Sequence, residues 1–262
     1  MSFEHGRDLI HQSIAQWYLS PEQHVFEFVL LNLIFLPMTR YFLSFPHTAM
    51  RPARQSFPVS LQRFDVVFGV LSVACILTTI LLKLTKPDPW LEIFFLLQPC
   101  HVLNVLVILM SFAPHKSRLG TAAFNLYLYL MCATVFAMAF PDMRDRHPLE
   151  IVHFWILHWW LVVCPYYFEV TAKYDLWHPH FVSGFSLNAT LHWTLLYPVA
   201  LLRGINLNYL MNPPDVSLVV DFGVAYRWPV TLGTYLLTAA DLLVFLAFSR
   251  FVAPLFRQKE KL

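Results

Sequence analysis

The chain has 262 residues, of which 58% are hydrophobic and only 13% charged, where soluble domains run at roughly 45–50% apolar and about 25% charged. With a mean hydropathy of +0.55, this composition excludes a soluble monomer and points to an all-α polytopic integral membrane helix bundle. A formal net charge of +2 gives no reason to expect a nucleic-acid partner, and 7 glycines leave no GxGxxG or GxxxxGK[ST] phosphate loop.

Residues 1–23 read as a polar N-terminal segment. Glu4, His5, Arg7, Asp8, His11 and Glu22 deny it the apolar core of a signal peptide. A membrane helix needs roughly 20 mostly apolar residues. Seven segments qualify, at about 24–44, 64–84, 90–112, 120–140, 149–171, 184–202 and 231–253, with a basic tail over 254–262. Together they predict one transmembrane domain over 1–262, and six or eight spans are also compatible. The first span is the weakest, since it carries Glu27, Asn32 and Pro37, and Arg40 must snorkel. The connections are set by prolines and charges: Lys86–Pro89, Ala113–Arg118, Pro141–Pro148 and Trp177–His180. Arg203–Pro229 is the longest, and its polarity suits a functional loop. With seven spans, the side holding the C-terminus collects 11 Lys and Arg against 7 on the other, which predicts a cytosolic C-terminus.

The four cysteines, Cys75, Cys100, Cys132 and Cys164, all fall inside apolar runs, which argues against a disulfide framework. Asn188-Ala-Thr190 is a formal glycosylation sequon, but its place within a span predicts that it goes unused. The histidines lack the paired boxes of a membrane diiron or zinc enzyme, and no pattern calls for a metal or another cofactor.

Polar groups at membrane depth are costly and face the protein interior or a cavity. They are Cys100, His101 and Asn104 in the third span, His153 and His158 in the fifth, His192 in the sixth and Asp241 in the last. Pro99 predicts a kink beside Cys100. Cys100 and Asn104 are four apart and share a helix face. Glu150 opens the fifth span, where a carboxylate suits the helix start or orients His153. His158 lies midway along its span, at a depth matching Cys100. Asp241 has no neutralising neighbour in sequence, so it is protonated or paired with a histidine or arginine of another span. Each group also has a plain reading, as a packed cysteine or a satisfied structural histidine.

In order and spacing, Gln98-Pro-Cys-His101, Glu150 eight residues before His158, Pro165 seven after it, and His192 followed by Ile205–Asn208 and Pro213 resemble the transmembrane protein 164 family. The resemblance covers roughly residues 90–215; Gln98 departs from the asparagine often found there. It implies an integral-membrane phospholipid acyltransferase, distantly similar to the androgen-induced membrane hydrolases, with Cys100 at the position of the catalytic cysteine. Its implied substrates are phospholipid and lysophospholipid, with ether lysophosphatidylethanolamine as acceptor and an internal membrane such as the endoplasmic reticulum as its place. A thiol needs a base, and His158 is the first choice, with His101 and His192 next. Asn104, Asn206 and Asn208 are the candidate oxyanion donors. A lipid hydrolase of the same chemistry, and a transporter or receptor without covalent chemistry, are the competing readings.

Overall fold

The computed structural model describes residues 18–54, 59–141, 143, 147–211, 219 and 221–258. The predicted N-terminal polar segment up to residue 17, Pro213 and Pro214, and the tail beyond Gln258 lie outside these residues.

α1 (Pro21–Ser44) opens with Ser20 accepting a hydrogen bond from the Gln23 amide and with Pro21 at the first helical position. Several of its polar residues turn inward, His24, Glu27 and Thr39 being buried. Asn32 donates to the Phe28 carbonyl and accepts from Thr194, and Thr39 bonds Thr190. α2 (Val59–Leu84) returns across the bundle. The third predicted span is broken into a short α3 (Pro89–Glu92), a 3₁₀ turn (Ile93–Leu97) and α4 (Pro99–Phe112), bent by 64° at the break. The cause is Pro99, which has no N–H and drives Gln98 into an extended conformation (φ −58°, ψ 146°). The kink predicted from Pro99 is therefore a complete break.

α5 (Arg118–Leu130) and α6 (Cys132–Ala139) form the fourth span, and α7 (Pro148–Thr171) the fifth, ending at left-handed Ala172 (φ 52°). The sixth is composite: α8 (Phe181–Thr190), a π turn (Leu191–Leu196) and α9 (Tyr197–Arg203). α10 (Arg227–Ala247) is the last span and continues through a second π turn into α11 (Ala253–Gln258).

Among the described residues, five helices are long and apolar enough to cross a membrane, or six with the bent pair. The sequence count of seven included the sixth segment. That segment is helical over its length, but Ser186, Asn188, Thr190, His192 and Thr194 lower its apolarity. Three of these polar groups turn inward: Ser186 and Asn188 are fully buried, and Thr190 bonds Thr39 of α1.

The two ends of the bundle differ. At one end the connections are tied together. Strands β1 (Ala49–Arg51) and β2 (Leu176–Trp177) pair antiparallel, the Lys116 amide donates to the Lys173 carbonyl, and Arg54 donates to Ala172. Here Lys173 pairs with Asp65 at 2.9 Å, and Glu169 takes Arg51 at 2.7 Å and Arg257 at 2.6 Å. The half of the bundle above this end is filled by Leu103, Val107, Met110, Phe124, Leu161, Phe168 and Phe245, all 0% exposed. Gly120 allows this packing, because a Cβ there would stand 2.3 Å from the Tyr174 ring. The other half holds a cavity.

Candidate functional site: a one-sided cavity within the bundle

The cavity has a volume of about 520 Å³, within the range of small-molecule sites. Its walls come from α2, the broken third span, α6, α7, the π turn, the loop after α9 and the start of α10. Cys100, His101, His158, His192, Glu150, Asn206 and Asn208 all line it. The topology thus brings all the candidate catalytic and binding residues of the sequence reading to one cavity except Asn104.

Asn104 is the exception and is corrected. It is 0% exposed, and its side-chain nitrogen donates to the Ser72 carbonyl at 2.9 Å. The cavity closes one turn short of it, where α4 packs against α2, so Asn104 joins two helices and lies off the cavity wall.

The break at Gln98–Pro99 makes Cys100 the second residue of α4. Negative charge developing on its sulfur would sit at the positive end of the helix dipole. Such a position is unavailable in mid-helix, where the continuous span of the sequence reading placed it. The amides of His101 and Val102 both turn back to the Gln98 carbonyl, at 3.0 and 3.2 Å, and close the first turn. Cys100 is partly exposed, whereas Cys132 and Cys164 are buried.

Each histidine has a distinct setting. His158 is 3% exposed, and its Nδ1 lies 2.7 Å from the carbonyl oxygen of Phe154. A carbonyl only accepts, so Nδ1 carries the proton and Nε2 the lone pair. His101 lies within electrostatic range of His158 and His153, and its buried Nδ1 has no hydrogen-bond partner among the described residues. His192 is engaged on both nitrogens: Nδ1 donates to Asn188 O at 2.8 Å, and Nε2 accepts from the Asn208 amide. That ties the π turn to the loop after α9, where Asn208 adopts φ 53°. Asn206 holds the same loop by accepting from the Met211 amide at 2.9 Å. Glu150 does not orient His153. It pairs with Lys86, while His153 Nε2 donates to Thr79 Oγ1 at 2.9 Å and Thr79 donates to Cys75 O.

The chain can now be set beside known proteins. The sequence profile of the TMEM164 family matches residues 18–246. The chain belongs to this family. A "Transmembrane protein 164 homolog" of Dictyostelium discoideum is 24% identical over 213 residues, covering 77% of this chain and 74% of that protein. No solved structure matches.

Several cavity residues of this TMEM164-family chain escaped the sequence reading. Lys86 entered only as the start of a connection and Lys83 went unremarked inside the second span, yet they pair with Glu150 and with Glu92 (2.6 Å) at the cavity mouth. Arg227 was assigned to a connection, yet its guanidinium is 3% exposed and donates to Glu27 at 2.7 Å, Tyr197 at 3.0 Å and His24 at 3.1 Å. Glu27 and Arg227 lie 200 residues apart, and no local pattern joins them. Cys132 also lines the cavity, but with its sulfur accepting from Asn188 Nδ2 at 3.0 Å and within 3.0 Å of the Thr238 hydroxyl. The Asn188 sequon is accordingly buried and bonded. Asp241 is paired with neither histidine nor arginine among the described residues; its Oδ2 is buried without a partner. Among the described residues, no group of three or more His, Cys, Asp or Glu could hold a metal ion.

Proposed function

We propose that this chain moves a fatty acyl group between glycerophospholipids through a thioester on Cys100, with His158 as the proton acceptor. The observation that carries the reading is that one cavity is lined by both a cysteine at a helix start and a histidine whose tautomer is fixed. His158 Nε2 takes the thiol proton as Sγ attacks the sn-2 ester carbon of a donor phospholipid. The C–O bond breaks, and the leaving oxygen receives that proton as lysophospholipid departs. The free sn-2 hydroxyl of an acceptor then gives its proton to the histidine and attacks the thioester; the C–S bond breaks and Sγ takes that proton back, restoring the thiol. Asn206 and Asn208 are the side-chain donors to the tetrahedral oxyanion; the second N–H of the Asn208 amide serves while the first holds His192.

An ether lysophosphatidylethanolamine fits as acceptor. The mouth offers both signs of charge, Lys83 and Lys86 beside Glu92 and Glu150, to a head group that carries phosphate and ammonium. The apolar Phe136, Phe154 and Phe185 on the walls suit acyl chains. An internal membrane such as the endoplasmic reticulum is the proposed place of action.

The test is a transfer assay in proteoliposomes holding an sn-2-labelled phospholipid and an ether lysophospholipid. Label should move to the acceptor with wild type and not with Cys100→Ala. Release of labelled free fatty acid alone would make the enzyme a hydrolase. Full transfer by Cys100→Ala would remove the thioester from the mechanism.

A further inference from the structure

We propose that the cavity takes its lipid from the leaflet opposite the C-terminal end of the chain, on the non-cytosolic side of the membrane. The inference rests on reading the cavity as the lipid site.

The first observation is where the walls come from. Lys83 stands in the last turn of α2 and Lys86 just after it, Glu92 ends α3, Phe140 follows α6, Glu150 is in the first turn of α7 and Asn208 follows α9. All of these belong to one end of the bundle. Lys83, Glu92 and Lys86 retain 21%, 27% and 25% side-chain exposure there, so this end meets water. Beyond the level of Cys100 and His158 the interior is solid, with Leu103, Val107 and Phe245 at 0% exposure. At the far end the connections are tied by β1, β2 and their amide bonds. Access is one-sided.

The second observation is charge. The closed end carries Arg51, Arg54, Arg63, Lys116, Arg118, Lys173 and Arg257; the mouth end carries Lys83, Lys86, Arg203 and Arg227 among the described residues. Basic residues near span ends orient a membrane protein with the richer side in the cytosol. The closed, basic end therefore faces the cytosol and the mouth faces away from it. A lipid whose head group sits in the non-cytosolic leaflet brings its sn-2 ester down toward Cys100, and one in the cytosolic leaflet meets the packed half.

Sealed microsomes, whose outer face is cytosolic, test this without any activity measurement. In a variant keeping Cys100 and carrying Cys75→Ser, Cys132→Ser and Cys164→Ala, a membrane-impermeant maleimide should label Cys100 only after permeabilisation. In the otherwise wild-type chain, a glycosylation sequon placed in the 85–88 connection should be glycosylated, and one appended after Leu262 should not. Labelling of Cys100 in sealed vesicles, glycosylation of the appended sequon, or failure of Cys100 to react in permeabilised vesicles where a Lys86→Cys variant does react would each overturn the proposal. Because the readouts are labelling and glycan addition, a Cys100→Ala enzyme that kept its activity would defeat the thioester mechanism and leave this result standing.

Discussion

His158 donates from Nδ1 to the carbonyl oxygen of Phe154, one turn earlier in α7, at 2.7 Å, and its ring packs on that of Phe154 with centroids 3.9 Å apart. Because the acceptor is backbone of the same helix, the tautomer is set by α7 itself and needs no carboxylate partner. The Nε2 lone pair, the group a thiol or a hydroxyl needs, belongs to a ring that lines the cavity. His192 makes the same kind of bond to Asn188 O, and its Nε2 accepts from Asn208, tying the π turn to the loop after α9.

That contrast predicts different consequences for the two histidines. His158→Ala should lower the acyl-transfer rate by about 10²–10⁴-fold, the usual contribution of a positioned acid–base group, with little change in thermal stability. His192→Ala should act mainly on stability, because Asn208 loses the partner that holds it at positive φ. Rates and melting temperatures of both variants in detergent check this; a greater rate loss in His192→Ala than in His158→Ala would exchange their roles.

Glu27 and Arg227 form a buried pair, at 2% and 3% side-chain exposure, that joins α1 to α10. Removing one partner of a buried pair typically costs about 3–5 kcal/mol, because the other charge stays behind uncompensated. Glu27→Ala should therefore lower the melting temperature more than Arg40→Ala, whose side chain is exposed. Equal melting points for the two variants would show that Arg227 finds compensation elsewhere.

His47 lies in the connection between α1 and β1, stacked on Trp177 with centroids 3.9 Å apart and planes at 3°. Burial, and then the neighbouring His180, hold its imidazole below the ordinary histidine range. The unfolded chain gains a proton near pH 6.5 that folded His47 resists. Its contribution to stability is therefore intact above that pH and is lost as the pH falls below it. Melting temperatures should drop between pH 7.5 and 5.5, and His47→Phe should flatten that slope. An unchanged slope would place the pH dependence elsewhere.

Much of this architecture is legible in the sequence, for identifiable reasons. Pro99 and the Lys86–Pro89 turn announce their breaks because proline acts locally. Cys100, His158 and His192 stand out because polar groups within apolar runs are expensive and need a reason. The helix-start setting of Cys100 was hidden, since hydropathy reads 90–112 as one continuous span. Asn104 misled because sharing a helix face with Cys100 says nothing about how deep the cavity runs. Lys86–Glu150 and Glu27–Arg227 were invisible because partners so distant in sequence meet only through the fold.

The central claim is that Cys100 carries the acyl group, and intact-protein mass spectrometry tests it most directly. The purified protein is incubated with a polyunsaturated phospholipid, beside Cys100→Ala and Cys132→Ala. Wild type and Cys132→Ala should gain one acyl mass that hydroxylamine removes, and Cys100→Ala should gain none. An adduct that persists in Cys100→Ala and disappears in Cys132→Ala would contradict the account and move the chemistry to the other cysteine of the cavity.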